Sequence, residues 1–146
     1  VSSCVFCAII RGDAPAVRVY EDDDVVAFLD IRPIARGHTL VVPRVHAPRL
    51  DDLDPEHGAA LFRAGQRLAR GVQRSDFAAD GANLVFNDGR SAFQTVFHAH
   101  LHVLPRWRGD KLRLAAGLLR RRPHDPEATG AAIRAGLARL EAEDAL

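Results

Sequence analysis

The segment His98-Ala99-His100-Leu101-His102-Val103-Leu104 alternates imidazole and small or aliphatic side chains before Pro105. Alternation with period two is the signature of a β-strand, in which successive side chains point to opposite faces. Three imidazoles then line one face over about 13 Å, four rises of roughly 3.3 Å each. Ala99, Leu101 and Val103 line the other face and can join a core. A lone strand histidine is usually structural. Three in strict alternation are not explained that way, because their protonated forms repel one another. This face is therefore the candidate site, and its strand belongs to the centre of the sheet.

Working outward, residues 82–86 read as the preceding strand, with Asn87-Asp88-Gly89 as a turn. Residues 17–21, 25–29 and 38–42 read as three further strands, and residues 31–37, with Pro33, as a loop. Asp54-Pro55-Glu56 is a helix start, with an N-cap, a proline at the first position and an acid in the first turn. Ala60, Leu61, Ala64, Leu68 and Val72 recur at helical spacing, which predicts a helix over 55–73. Asp125-Pro126-Glu127 repeats the start signal, and Ile133, Leu137 and Leu140 mark a last amphipathic helix. Residues 5–11 read as one or two helical turns, and the basic cluster Arg120-Arg121-Arg122 as a solvated loop in preference to the alternative, an anion site. The expected architecture is α+β: a five-stranded, mainly antiparallel sheet, one long helix packed on it and a C-terminal helix.

With 146 residues the chain is expected to form one domain. Hydrophobic residues at 47% and charged residues at 27% argue against disorder. A net charge of +1 supplies no global field for nucleic acid or a membrane surface, so neither is expected as a partner. No apolar run reaches the length of a membrane span. The polar start at Val1-Ser2-Ser3-Cys4 lacks a secretory pattern, and a cytoplasmic location is expected.

Two chemistries fit the histidine face. One is a zinc site with water in an open position; the other uses one histidine as a nucleophile toward phosphorus, with its neighbours as electrostatic partners. The only cysteines, Cys4 and Cys7, are spaced as half of a metal site. A redox dithiol and unliganded thiols are the other readings, but a redox pair normally follows a strand, and none precedes Cys4. A closed tetrahedral site would need two further ligands and would leave the rest of the histidine face free for chemistry.

At this point the residues carry a resemblance. His98-Ala99-His100-Leu101-His102-Val103-Leu104 resembles the H-φ-H-φ-H-φ-φ pattern of the histidine triad (HIT) family. Cys4-Val5-Phe6-Cys7-Ala8-Ile9-Ile10, Tyr20-Glu21-Asp22-Asp23, Phe28-Leu29-Asp30-Ile31-Arg32-Pro33 and Gly37-His38-Thr39-Leu40-Val41-Val42-Pro43 with His46 are similar to its Hint-like nucleoside phosphoramidase branch. The resemblance implies a family domain over residues 1–110, with residues 111–146 as a C-terminal extension packed on it, and a homodimer with sheets joined side by side.

It also implies roles. His100 matches the nucleophile that attacks the α-phosphorus of a nucleotide and forms a nucleotidyl-histidine. His102 matches the phosphate-contacting histidine, and His38 a histidine near the leaving group. Asn87, Gln94 and Thr95 match polar positions around the phosphate. Asp30 matches the acceptor of both ribose hydroxyls, and Phe6, Ile9, Phe28 and Ile31 match the apolar slot for a purine. Cys4, Cys7, His46 and His98 match a structural Zn²⁺ site, with no organic cofactor. The implied activity is hydrolysis of purine nucleoside phosphoramidates, releasing AMP or GMP. Dinucleoside polyphosphate hydrolysis or phosphorolysis, a nucleotide-binding scaffold with vestigial activity, and a zinc-dependent hydrolase are the rivals. One departure stands out: the family's usual glycine before Gln94 is Phe93 here. It could shift the loop, narrow the leaving-group side or meet a partner subunit.

Overall fold

The computed structural model describes residues 3–121 and 125–146. Its strands are β1 (Arg18–Glu21), β2 (Val25–Leu29), β3 (Thr39–Pro43), β4 (Gly81–Phe86) and β5 (Leu101–Arg106). They form one sheet in the order β1-β2-β3-β5-β4, and every neighbouring pair is antiparallel. The helices are α1 (Val5–Arg11), α2 (Pro55–Gln73), α3 (Lys111–Leu119) and α4 (Pro126–Asp144).

Sheet alternation sorts the core into two faces. Val25, Ala27, Leu29, Val41, Leu101 and Val103 meet the buried stripe of α2, formed by Ala60, Leu61, Ala64, Leu68 and Val72. The Asp54 side chain caps α2 by accepting from the Glu56 N–H, with Pro55 at the helix start. Ile133 and Leu137 carry α4 into the same core, and α4 crosses α2 with backbones almost touching at Gly71 and Gly136. On the opposite face Val26, Phe28, Leu40 and Val42 are covered by Phe6 and Ile9 of α1. The histidines lie on this second face, because His102 stands opposite Leu40 in the β3–β5 ladder.

Two local expectations change. The strand expected over 98–104 becomes β5, which starts three residues later and runs through Pro105. The β3 and β4 ladders both reach Leu101 and go no further toward His98. The chain bends at His98, and the Ala99 N–H donates instead to the Ala47 carbonyl at 2.7 Å. Pro105 is tolerated because β3 stops opposite Val103, leaving only β4 as ladder partner beyond it. Helix α3 had no expected counterpart: it buries none of its residues, so it carries no apolar stripe to read. The Arg120–Arg122 reading holds for Arg120 and Arg121, which are exposed; Arg122, with His124, lies outside the described residues. Among the described residues no helix is long and apolar enough to cross a membrane.

Candidate active site and metal centre

The bond from Ala99 to Ala47 draws the end of the histidine segment against the loop after β3, and so brings His98 beside His46. Helix α1 delivers Cys4 and Cys7 to the same point. The Cys4 Sγ lies 3.5 Å from His98 Nδ1, Cys7 Sγ 3.3 Å from His46 Nδ1 and 3.6 Å from His98 Nδ1, and the two Nδ1 atoms 3.2 Å apart. Zinc bonds of about 2.05 Å to nitrogen and 2.3 Å to sulfur define a tetrahedron with N···N edges of about 3.35 Å and S···N edges of about 3.55 Å. The separations fit that set. Protonation agrees: His98 Nε2–H donates to the Pro43 carbonyl at 2.8 Å, which leaves the Nδ1 lone pair facing the sulfurs. Burial first, and then the Cys4 thiol, push the Cys7 thiol up, so a cation is what would hold it as a thiolate.

A second group, Asp30, His38 and His102, also brings three potential ligand atoms within 4.8 Å of one another. It does not fit a metal. The Ile34 N–H donates to His38 Nδ1 at 3.0 Å, so the proton of neutral His38 sits on Nε2. That Nε2 lies 2.9 Å from His102 Nδ1, a hydrogen bond. A metal there would have to displace the shared proton while His38 Nδ1 still accepted from the backbone.

His100 lies between the two clusters. Its Nδ1–H donates to the His98 carbonyl at 2.7 Å, which puts its lone pair on Nε2. Its ring is 4.9 Å from that of His102 and meets the Phe6 ring edge-on at 5.1 Å. Burial holds the His100 pKa below the ordinary histidine value, against the opposing pull of the His98 carbonyl and of Asp30. His38 and His102 go further, to about 3. Burial is the main cause for both, followed by Arg121 and His100 for His38, and by His100 and His38 for His102. All three rings are neutral at pH 7: one carries an available lone pair, and its neighbour His102 has an N–H at Nε2.

A family model described as the HIT domain matches residues 11–109. The chain belongs to the histidine triad family. An uncharacterized HIT-like protein of Mycobacterium tuberculosis is 55% identical over 139 residues, 95% of this chain and 96% of that protein. A crystal structure of a zinc-bound histidine triad family protein from Mycobacterium smegmatis superposes with a TM-score of 0.89 at 53% identity, covering 97% of this chain and 98% of that one. Adenylylsulfatase HINT3 of Arabidopsis thaliana is 36% identical over 118 residues, 77% of this chain and 59% of that protein.

The remaining candidates of this HIT domain are placed unevenly. The Asp30 carboxylate is oriented by the Arg32 N–H at 2.8 Å, and its second oxygen lies 3.7 Å from His38 Nε2. Phe6, Ile9 and Phe28 are buried in the core of the histidine face, whereas Ile31 is 80% exposed beside Asp30. Asn87 is half-buried and Thr95 exposed. Gln94 needs correcting as a free donor to phosphate. It is buried, its Nε2 donates to the Pro48 and Val96 carbonyls, and its Oε1 accepts from the Gly89 N–H. With both its donors taken by backbone carbonyls, it ties the loop before the triad in place. Phe93 takes the left-handed conformation a glycine would favour, with φ of 71°, and its ring is 83% exposed. Sequence reasoning missed the Ile34 amide, because nothing in the local pattern signals its proximity to the histidines. Arg121 belongs to the basic cluster read as a solvated loop, and its charge lowers the pKa values of His38 and His102.

Proposed function

We propose that this HIT protein is a nucleotide hydrolase that works through a covalent histidine intermediate. The observation that carries the reading is the hydrogen bond from His100 Nδ1 to the His98 carbonyl. It leaves Nε2 free to attack and stabilises the positive charge that the ring acquires when the N–P bond forms. As that bond forms, the bond from the α-phosphorus to the leaving group breaks, and the leaving group takes the electron pair. Water then attacks the phosphorus, the N–P bond breaks, neutral His100 returns, and the water's proton passes to solvent. His102 donates from Nε2 to a phosphoryl oxygen, and Asn87 and Thr95 supply neutral donors beside it. Asp30 accepts the ribose hydroxyls, and Ile31 with the Phe6, Ile9 and Phe28 floor holds a purine.

Cys4, Cys7, His46 and His98 hold a structural zinc ion. Four protein ligands leave no open position for substrate, so the metal fastens α1 to the catalytic segment and stays outside the chemistry. The unpaired edge of β4, with Val85 exposed, supports the reading of a homodimer joined sheet to sheet.

The first substrate candidates are purine nucleoside phosphoramidates such as adenosine 5′-phosphoramidate. The hydrogen bonds that hold His38 and His102 as a neutral pair favour a second reading. An amine must gain a proton as it leaves, and with both rings neutral that proton comes from solvent, whereas sulfate or phosphate departs as an anion without one. Mixed anhydrides are therefore the alternative, and the relative named an adenylylsulfatase accords with it. Side-by-side kcat/KM values on adenosine 5′-phosphoramidate, adenylyl sulfate and diadenosine tetraphosphate decide. Fastest AMP release from the first supports the phosphoramidase reading, and from either anhydride the second. No AMP from any of them refutes both.

A further inference from the structure

A chain of hydrogen bonds runs from the backbone into the candidate site. The Ile34 N–H donates to His38 Nδ1 at 3.0 Å, and His38 Nε2 lies 2.9 Å from His102 Nδ1. A backbone amide can only donate, so the direction of every bond in the chain is fixed by its first member. His38 must carry its proton on Nε2 and give it to His102 Nδ1. His102 must then carry its own proton on Nε2. His38 is only 1% exposed, so its own two nitrogens are shielded from solvent.

We infer that His38 is a positioning residue, a tautomer lock that makes His102 a neutral Nε2–H donor toward the substrate phosphate. This deepens the proposed function and rests on it for the identity of the acceptor. The lock separates two roles that a histidine beside a nucleophile can play. If His102 gave its proton away completely, His38 would have to replace it and could draw no proton in turn from an amide. His102 therefore stabilises charge without acting as a general acid, and His38 acts on the substrate only through His102.

The lock has an anchor in the C-terminal extension. Ile34 lies in the loop between β2 and β3, and its carbonyl meets α3 at Gly117, where a Cβ would run into the carbonyl oxygen. Pro33, Ile34, Ala116 and Gly117 line the same cleft. The extension thus presses on the peptide whose neighbouring amide sets the tautomer.

The test is long-range ¹H–¹⁵N correlation on histidine-labelled, zinc-loaded protein at pH 7, without substrate. The wild type should show His102 protonated at Nε2 and bare at Nδ1. His38→Ala should convert His102 to a mixture of tautomers, with kcat falling about 10- to 100-fold and KM little changed. His38→Gln, which retains an N–H donor, should recover part of both. Gly117→Ala, at a surface helix, should shift the His38 and His102 signals together and lower kcat more mildly. A doubly protonated or Nδ1-protonated His102 in the wild type overturns the lock, as does an unchanged tautomer in a folded His38→Ala. If His38→Ala does not fold, the wild-type tautomer and Gly117→Ala decide. The expected tautomer in a protein that cleaves no nucleotide would sink the proposed function and leave the lock standing.

Discussion

Phe93→Gly should stabilise this protein, against the usual direction for removing an aromatic ring. Phe93 has φ of 71° and follows a single turn of 3₁₀ helix, Arg90–Ala92. A side chain with a Cβ in the left-handed region costs roughly 1–2 kcal/mol. The ring is 83% exposed, so little burial is lost on deleting it. Glycine adds back about 0.4–1 kcal/mol of unfolded-state entropy. The balance is a gain of about 0.5–1 kcal/mol, which for a chain of this size is roughly 2–3 °C in Tm. Phe93→Ala is the control, because alanine keeps the strain and loses the same ring. Calorimetry of zinc-loaded wild type and both variants, with dimer content checked by ultracentrifugation, reads the difference. The reasoning fails if Phe93→Gly is no more stable than Phe93→Ala. If both variants lose stability together with dimer, the ring is an interface residue and the strain argument does not govern.

Replacing Cys4 and Cys7 together with serine should abolish stoichiometric zinc, read by metal analysis, and lower Tm by more than it lowers the rate of the chemical step. Acid should destabilise the fold: His38 and His102 hold pKa values of about 3 in the folded chain, against about 6.5 when unfolded. Between those values the unfolded chain binds protons that the folded chain does not, so stability is full above pH 6.5 and falls as pH drops toward 3. The loss at pH 5 is up to about 2 kcal/mol per histidine and about 4 kcal/mol for both, measurable by denaturant unfolding at constant zinc occupancy; a flat profile from pH 7 to 5 contradicts it. Gly136→Ala places a Cβ on the Gly71 carbonyl oxygen where α4 crosses α2, and should cost about 1–3 kcal/mol by the same assay.

How legible each element was follows from where its determinants lie along the chain. Helix α2 was readable end to end because its cap, its leading proline and its apolar stripe are all local. Alternation also placed the imidazoles on one face, but it could not show where β5 begins. That depends on ladder partners in β3 and β4, which run out at Leu101. Helix α3 was not legible because none of its residues is fully buried and its leucines, Leu112, Leu114, Leu118 and Leu119, are spread around the helix. Within the candidate site, residue types and spacing identified the cysteines and the triad. The tautomer chain was not legible: the bond from His38 to His102 joins residues 64 apart, and its first donor is a backbone amide with no signature in the sequence. Gln94 shows the opposite failure. Its position before the triad suggests a donor to substrate, but three backbone groups hold its amide.

The nucleophile is the central claim, and a covalent adduct tests it most directly. The protein is mixed with adenosine 5′-phosphoramidate, and in parallel with adenylyl sulfate, each labelled at the α-phosphorus. The mixture is quenched in base within one turnover, digested and mapped by mass spectrometry. The account predicts one acid-labile adenylyl group on His100, none on His98 or His102, and none in His100→Ala, which should still bind AMP while turnover falls by several orders of magnitude. Near-normal turnover by His100→Ala, or label on another side chain, would contradict it.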